Sequence, residues 1–227
     1  MFIASAVQGS IGFGGNVLAV PALTLLDPAF VPGPVLFAGF GINVLMLLRD
    51  RDAASLRPVS SAVGGRIVGT AAGVGALTVL SQRGLSILVA VTVLAIIAIS
   101  SIAIQPERST RNLVAAGTLS GFSASTAGIG GPPVALLFQN AEGPEVRGSL
   151  GALFVVGNII SLSGLALVGR FGAEELQLGL ALTPAALLGF ASTKWLVPVL
   201  DRNYTRQAII LLSTLAAIAL IGRLILA

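Results

Sequence analysis

Neither cysteine nor histidine occurs in the 227 residues, and each absence narrows the chemistry. Without cysteine there are no disulfides and no thiolate metal sites. Without histidine the commonest metal ligand and the usual near-neutral proton carrier are missing. Charge is also scarce: 10% of the chain is Asp, Glu, Lys or Arg, against about a quarter in a soluble domain. A soluble fold needs polar surface to cover its core. This composition, 55% apolar with a mean hydropathy of +0.98, does not supply it. The chain reads as an integral membrane protein. Its net charge of +4 comes from basic residues scattered singly between apolar runs. Such residues set orientation in a bilayer and offer no nucleic-acid surface.

Acids are missing from the interior of the apolar runs, with Asp27, Glu142 and Asp201 all in expected loops. That disfavours the buried carboxylate relay of many proton-coupled carriers. Ser123 and Ser125 lack a base to make either a nucleophile. No catalytic residue, metal site or cofactor is expected, and the protein does not read as an enzyme. The N-terminus lacks a basic n-region and a small-residue cleavage site, so no signal peptide is expected.

What the chain does have is length for about eight crossings, a span needing about 20 residues. The first four are Phe2 to Leu26, Val35 to Leu48, Leu56 to Leu80 and Leu85 to Ile104. The third contains Gly64, Gly65, Gly69 and Gly73, which suit close helix packing. After the polar stretch 105–111 come Leu113 to Phe138, Val146 to Val168, Leu176 to Leu200 and Ala208 to Leu226. The expected fold is an all-α polytopic membrane protein of about eight transmembrane helices in two homologous four-helix repeats. These are 1–104 and 112–227, with 105–111 as linker.

Two glycine-rich motifs interrupt the first span of each half. One is Gln8-Gly9-Ser10-Ile11-Gly12-Phe13-Gly14-Gly15-Asn16, with Pro21 following. The other is Ser125-Thr126-Ala127-Gly128-Ile129-Gly130-Gly131-Pro132-Pro133. Glycines loosen the helix, and adjacent prolines remove two N–H donors. In hydrocarbon, irregular backbone survives only where protein buries it or it lines a cavity. Corresponding interruptions in two halves point to a transporter's substrate site. Gly12, Gly14 and Gly15 fall on Gly128, Gly130 and Gly131 at constant offset, and Gly41-Ile42-Asn43 resembles Gly157-Asn158.

A broken helix exposes N–H groups at the positive end of its second half, which suits an oxyanion. Gly12, Gly14, Gly15, Gly128, Gly130, Gly131 and Pro132 would let an anion approach the backbone. Ser10, Asn16, Ser125 and Thr126 are candidate side-chain donors. Small residues in membrane helices also serve plain packing, and the doubling favours the site over that reading. Asn43 and Asn158, inside apolar spans at matching places, suit substrate contact or interhelical bonding about equally. Gln8 is similar, with an interfacial position as its alternative. Arg66 lies inside the third span with no acid near it in sequence. It suits bidentate oxyanion pairing, or else snorkels toward the side of Arg57. Lys194, beside Trp195, reads as an interfacial anchor.

Two topologies fit the basic residues. If all eight segments cross, Arg49, Arg51, Arg57, Arg108, Arg111, Arg170 and Arg223 share one side, with Arg83, Arg147, Arg202 and Arg206 opposite. If the glycine segments dip in and return, Arg49, Arg51, Arg57, Arg108, Arg111, Arg147, Arg202 and Arg206 face Arg83, Arg170 and Arg223, and the halves are inverted repeats. The second has the stronger asymmetry. The length of the glycine segments favours the first, crossing with a break.

On Gln8-Gly9, Gly12-Phe13-Gly14 and Pro21, together with Gly128-Ile129-Gly130-Gly131-Pro132-Pro133, the chain resembles the sulfite exporter TauE/SafE family of bacterial membrane transporters. The resemblance covers nearly the whole chain, though little sequence precedes the first motif and its leading helix is expected to be short. It implies a secondary transporter of sulfite, sulfonates or similar small anions in the bacterial cytoplasmic membrane. Lipid and a small anionic substrate are the implied partners, with coupling ion and homo-oligomer left open. A passive anion channel, or a carrier of another small organic anion, is the alternative.

Overall fold

The computed structural model describes residues 1–81, 84, 87–88, 91–92, 95 and 106–196. The expected spans Leu85 to Ile104 and Ala208 to Leu226 lie largely or wholly outside these, as do Arg83, Arg202, Arg206 and Arg223. Every regular element among the described residues is helical: α1 Phe2–Ile11, α2 Gly15–Leu26, α3 Gly33–Asp50, α4 Leu56–Val79, α5 Thr110–Ala127, α6 Gly131–Ala135, α7 Gly143–Leu167, α8 Ala173–Ala191 and α9 Thr193–Leu196, with short 3-10 turns between some of them. Three stretches, Gly33–Ala53, Leu56–Val79 and Gly143–Leu167, are long and apolar enough to cross a membrane. At 1.5 Å per residue the 24 residues of α4 reach about 36 Å, beyond the roughly 30 Å of hydrocarbon. By the same measure the 10-residue α1 and 12-residue α2 span about 15 and 18 Å, so neither crosses alone.

Side-chain contacts fix the direction of each helix. Asp50 at the end of α3 meets Arg147 at the start of α7, and Leu36 meets Asn158, so these two run antiparallel. Along α4 and α7, Ser55 bonds Ser149, Thr70 approaches Ser161, and Leu77 accepts from Arg170, so they run parallel. Gly33 lies against Phe171, Gly179 against Phe37 and Gly41 against Leu187, so α3 and α8 run parallel. One end of the bundle thus carries Asp50, Ser55, Arg108, Glu145 and Arg147. We call it the basic end. Arg49, Arg51, Arg57, Arg108, Arg111 and Arg147 gather there, and Arg170 lies at the opposite end.

The glycine segments turn back. In the second, α5 leaves the basic end and reaches Gly128, whose nearest neighbours are Val35, Val20 and Pro32 near the far end of α3. The chain then returns through α6, and the Leu137 carbonyl accepts from Arg108 at 2.7 Å beside the start of α5. Val134, Leu137 and Phe138 pack with Val59, Leu113 and Val146, all near the basic end. In the first segment α1 runs toward the basic end, where Arg49 and Arg147 donate to the carbonyls of Gly9 and Ser10. The helix α2 then heads away from it, with Gly15 lying against Ala4 and Gln8. The favoured expectation, crossing with a break, is therefore corrected. Length alone suggested a crossing, but a left-handed glycine reverses the chain at each motif, φ 102° at Gly12 and 73° at Gly128. The two hairpins have opposite sense.

Glycine also sets the tightest interface. A Cβ on Gly65 or Gly69 would run into the carbonyls of Val114 or Thr118, and one on Gly117 into that of Ala62. Here α4 and α5 touch backbone to backbone, as small residues permit when lipid supplies no hydrophobic drive between helices. Gly73 joins this seam against Ser125, whereas Gly64 faces open space.

Candidate functional site

Where the hairpins meet, halfway along α4 and α7, a small cavity opens between them. From the first motif it takes Gln8, Phe13, Gly14 and Asn16, with Val17 just after it, and from the second Ile129, Gly130, Gly131 and Pro132. Leu36 and Asn43 of α3, Arg66 of α4, and Phe154 and Asn158 of α7 complete the wall. The two breaks touch directly: an added Cβ on Gly131 would lie 3.3 Å from the Phe13 Cβ and 3.9 Å from the Gly14 nitrogen.

Arg66 dominates the electrostatics. It is 1% exposed, and among the described residues no carboxylate pairs with it. Its Nη1 donates to the Ser120 hydroxyl at 2.6 Å, and that hydroxyl donates to the Gly130 carbonyl at 2.6 Å. This relay ties the cation to the second break. The guanidinium also lies over the Phe154 ring, 5.8 Å from its centroid, and its Nε is buried with no acceptor. Gly157 makes the space, since a Cβ there would collide with Nε, Cζ and Cδ of Arg66. The alternative of snorkelling toward Arg57 is corrected: hydrogen bonding and the Gly157 notch hold the side chain inward.

The buried carboxamides hold the walls together. Gln8 Nε2 donates to Asn43 Oδ1 at 2.7 Å, Asn16 Nδ2 to the Gly128 carbonyl at 2.7 Å, and Asn158 Nδ2 to the Leu36 carbonyl at 3.0 Å. Each bond joins separate elements and offsets part of the cost of burying an amide.

Eight of the expected site residues, Gly14, Asn16, Asn43, Arg66, Gly130, Gly131, Pro132 and Asn158, share this one wall. The other six are placed elsewhere. The hydroxyls of Ser10, Ser125 and Thr126 donate back to the carbonyls of Ala6, Gly121 and Phe122 in their own helices. A hydroxyl on a helix reaches the carbonyl four residues back more readily than a cavity on the other side. Gly12 and Gly128 form the left-handed turns, and Gly15 packs on α1. The amide donors are also unequal between the breaks: α2 starts on residues that carry N–H groups, but in the first turn of α6 Pro132 and Pro133 carry none and Gly131 alone precedes them. Sequence reasoning missed Ser120, Gly157, Phe13 and Phe154. Phe13 left a trace as part of the first motif, and Gly157 through its likeness to Gly41 in the asparagine motifs.

At the basic end a second polar cluster anchors the first hairpin. Asp50 accepts from Arg49 and Arg147, both at 2.9 Å, and Arg49 also lies over the Phe190 ring. Those arginines cap the C-terminal carbonyls of α1, where cations are favoured.

The family model for the sulfite exporter TauE/SafE matches residues 1–220. No curated protein and no solved structure shows significant similarity.

Proposed function

Because the chain belongs to the sulfite exporter TauE/SafE family and is a multi-pass membrane protein of a transporter family, we propose that it is a secondary transporter of small sulfur oxyanions such as sulfite or sulfonates, that it is not an enzyme, and that the cavity around Arg66 is its substrate site. One observation carries this reading: a buried guanidinium, without a carboxylate partner among the described residues, stands halfway along α4 between two broken segments. An uncompensated charge in hydrocarbon is costly, and an anion offsets that cost while accepting a planar bidentate pair. The hairpins of opposite sense support two inverted repeats meeting at the site, and rocking of one against the other would expose it alternately. The arginine-rich end would face the cytoplasm of a bacterial cell, by the positive-inside rule.

The test is counterflow of labelled sulfite into liposomes holding purified protein. Saturable exchange is expected, with a steep loss of anion affinity in Arg66→Ala at unchanged folded yield. Unaltered affinity in that variant removes Arg66 from the site, and non-saturating flux without exchange assigns a passive anion channel.

A further inference from the structure

We propose that the cavity selects its anion by charge, accepting a singly charged oxyanion and rejecting a doubly charged one of the same size. This rests on the reading of the Arg66 cavity as an anion site and adds a property that reading does not contain.

The described wall residues can be counted for charge. Arg66 brings one positive charge, which a guanidinium keeps under all ordinary conditions. No other cation and no acid lines the cavity among the described residues. The remaining polar side chains, Gln8, Asn16, Asn43 and Asn158, are neutral, and three of them already commit an amide N–H to a protein acceptor. Arg49 and Arg147 donate to Asp50 and to the last carbonyls of α1 at the basic end, outside the lining.

With a monoanion bound, Arg66 and ligand form a neutral pair in a low-dielectric space. With a dianion bound, the second negative charge finds no cation there among the described residues. A buried pair is tolerable when geometry and hydrogen bonds are good, whereas a buried surplus charge is strongly disfavoured. The apolar faces of Phe13, Leu36 and Phe154 would welcome a methyl or a protonated oxygen where a second charged oxygen finds no partner. Hydrogensulfite should therefore be the transported form of sulfite, and sulfate should be refused although it is tetrahedral and small.

Wild-type protein in liposomes tests this by competition against counterflow of labelled sulfite. Methanesulfonate and sulfate are the probes, because a methyl replaces one oxygen while shape and size stay close. Methanesulfonate should compete at least about tenfold better, a margin of about 1.4 kcal/mol. With labelled sulfite held far below saturation, its half-inhibiting concentration should not change with pH, while that of unlabelled total sulfite should rise with pH through the loss of the hydrogensulfite proton. Sulfate competing as well as methanesulfonate overturns charge selection and leaves the anion site standing. If all three fail to compete or exchange, the anion-site reading itself falls, and charge selection with it.

Discussion

Gly157→Ala separates the seating of Arg66 from the integrity of the fold. The added methyl would collide with Nε, Cζ and Cδ of Arg66, with no backbone atom among its three nearest neighbours. A flexible side chain yields before a helix does, so the guanidinium moves and α7 stays. Displacement breaks the bond from Nη1 to Ser120 at 2.6 Å. A hydrogen bond to a charged group contributes about 1.5–3 kcal/mol. If the anion depends on that placement, affinity should fall by about tenfold to a hundredfold, at about 1.4 kcal/mol per factor of ten. The assay is the sulfite concentration dependence of counterflow, with thermal unfolding in detergent measured alongside. A double-mutant cycle sharpens it. In the Arg66→Ala background the added methyl has nothing to strike, so Gly157→Ala should cost little further, and the coupling should exceed about 0.5 kcal/mol. Sulfite affinity within twofold of wild type in folded Gly157→Ala protein would refute the claim that this notch positions the cation.

Other perturbations should act on the scaffold. Gly117→Ala drives a methyl into the Ala62 backbone at the α4–α5 seam and should destabilise by about 1–3 kcal/mol, seen as earlier thermal unfolding. Gly75→Ala, on the same α4 with open space around it, should be neutral or stabilising by up to about 1 kcal/mol in that measurement. Gly128→Ala combines a left-handed backbone with contact to Val35, and the backbone alone costs about 1–2 kcal/mol, readable in folded yield. Asp50→Asn leaves Arg49 and Arg147 without their shared carboxylate and should lower stability by about 1.5–3 kcal/mol, with protease cleavage rising first between α1 and α2.

Composition and local pattern determined a good deal on their own. Scarce charge and long apolar runs decide a membrane solvent whatever the fold, and clustered glycines are poor at continuing a helix. Both breaks, the small-residue seam at Gly65, Gly69 and Gly73, and the isolation of Arg66 were therefore legible from residues and near neighbours. Tertiary structure decided the rest, because it depends on groups far apart in the chain. Whether a broken segment crosses or returns is set by what meets it, Arg108 for one hairpin and the Arg49–Asp50–Arg147 cluster for the other. Ser120 and Gly157 are ordinary small residues in sequence. They acquire meaning only because α5 and α7 converge on the same guanidinium from 54 and 91 positions away along the chain.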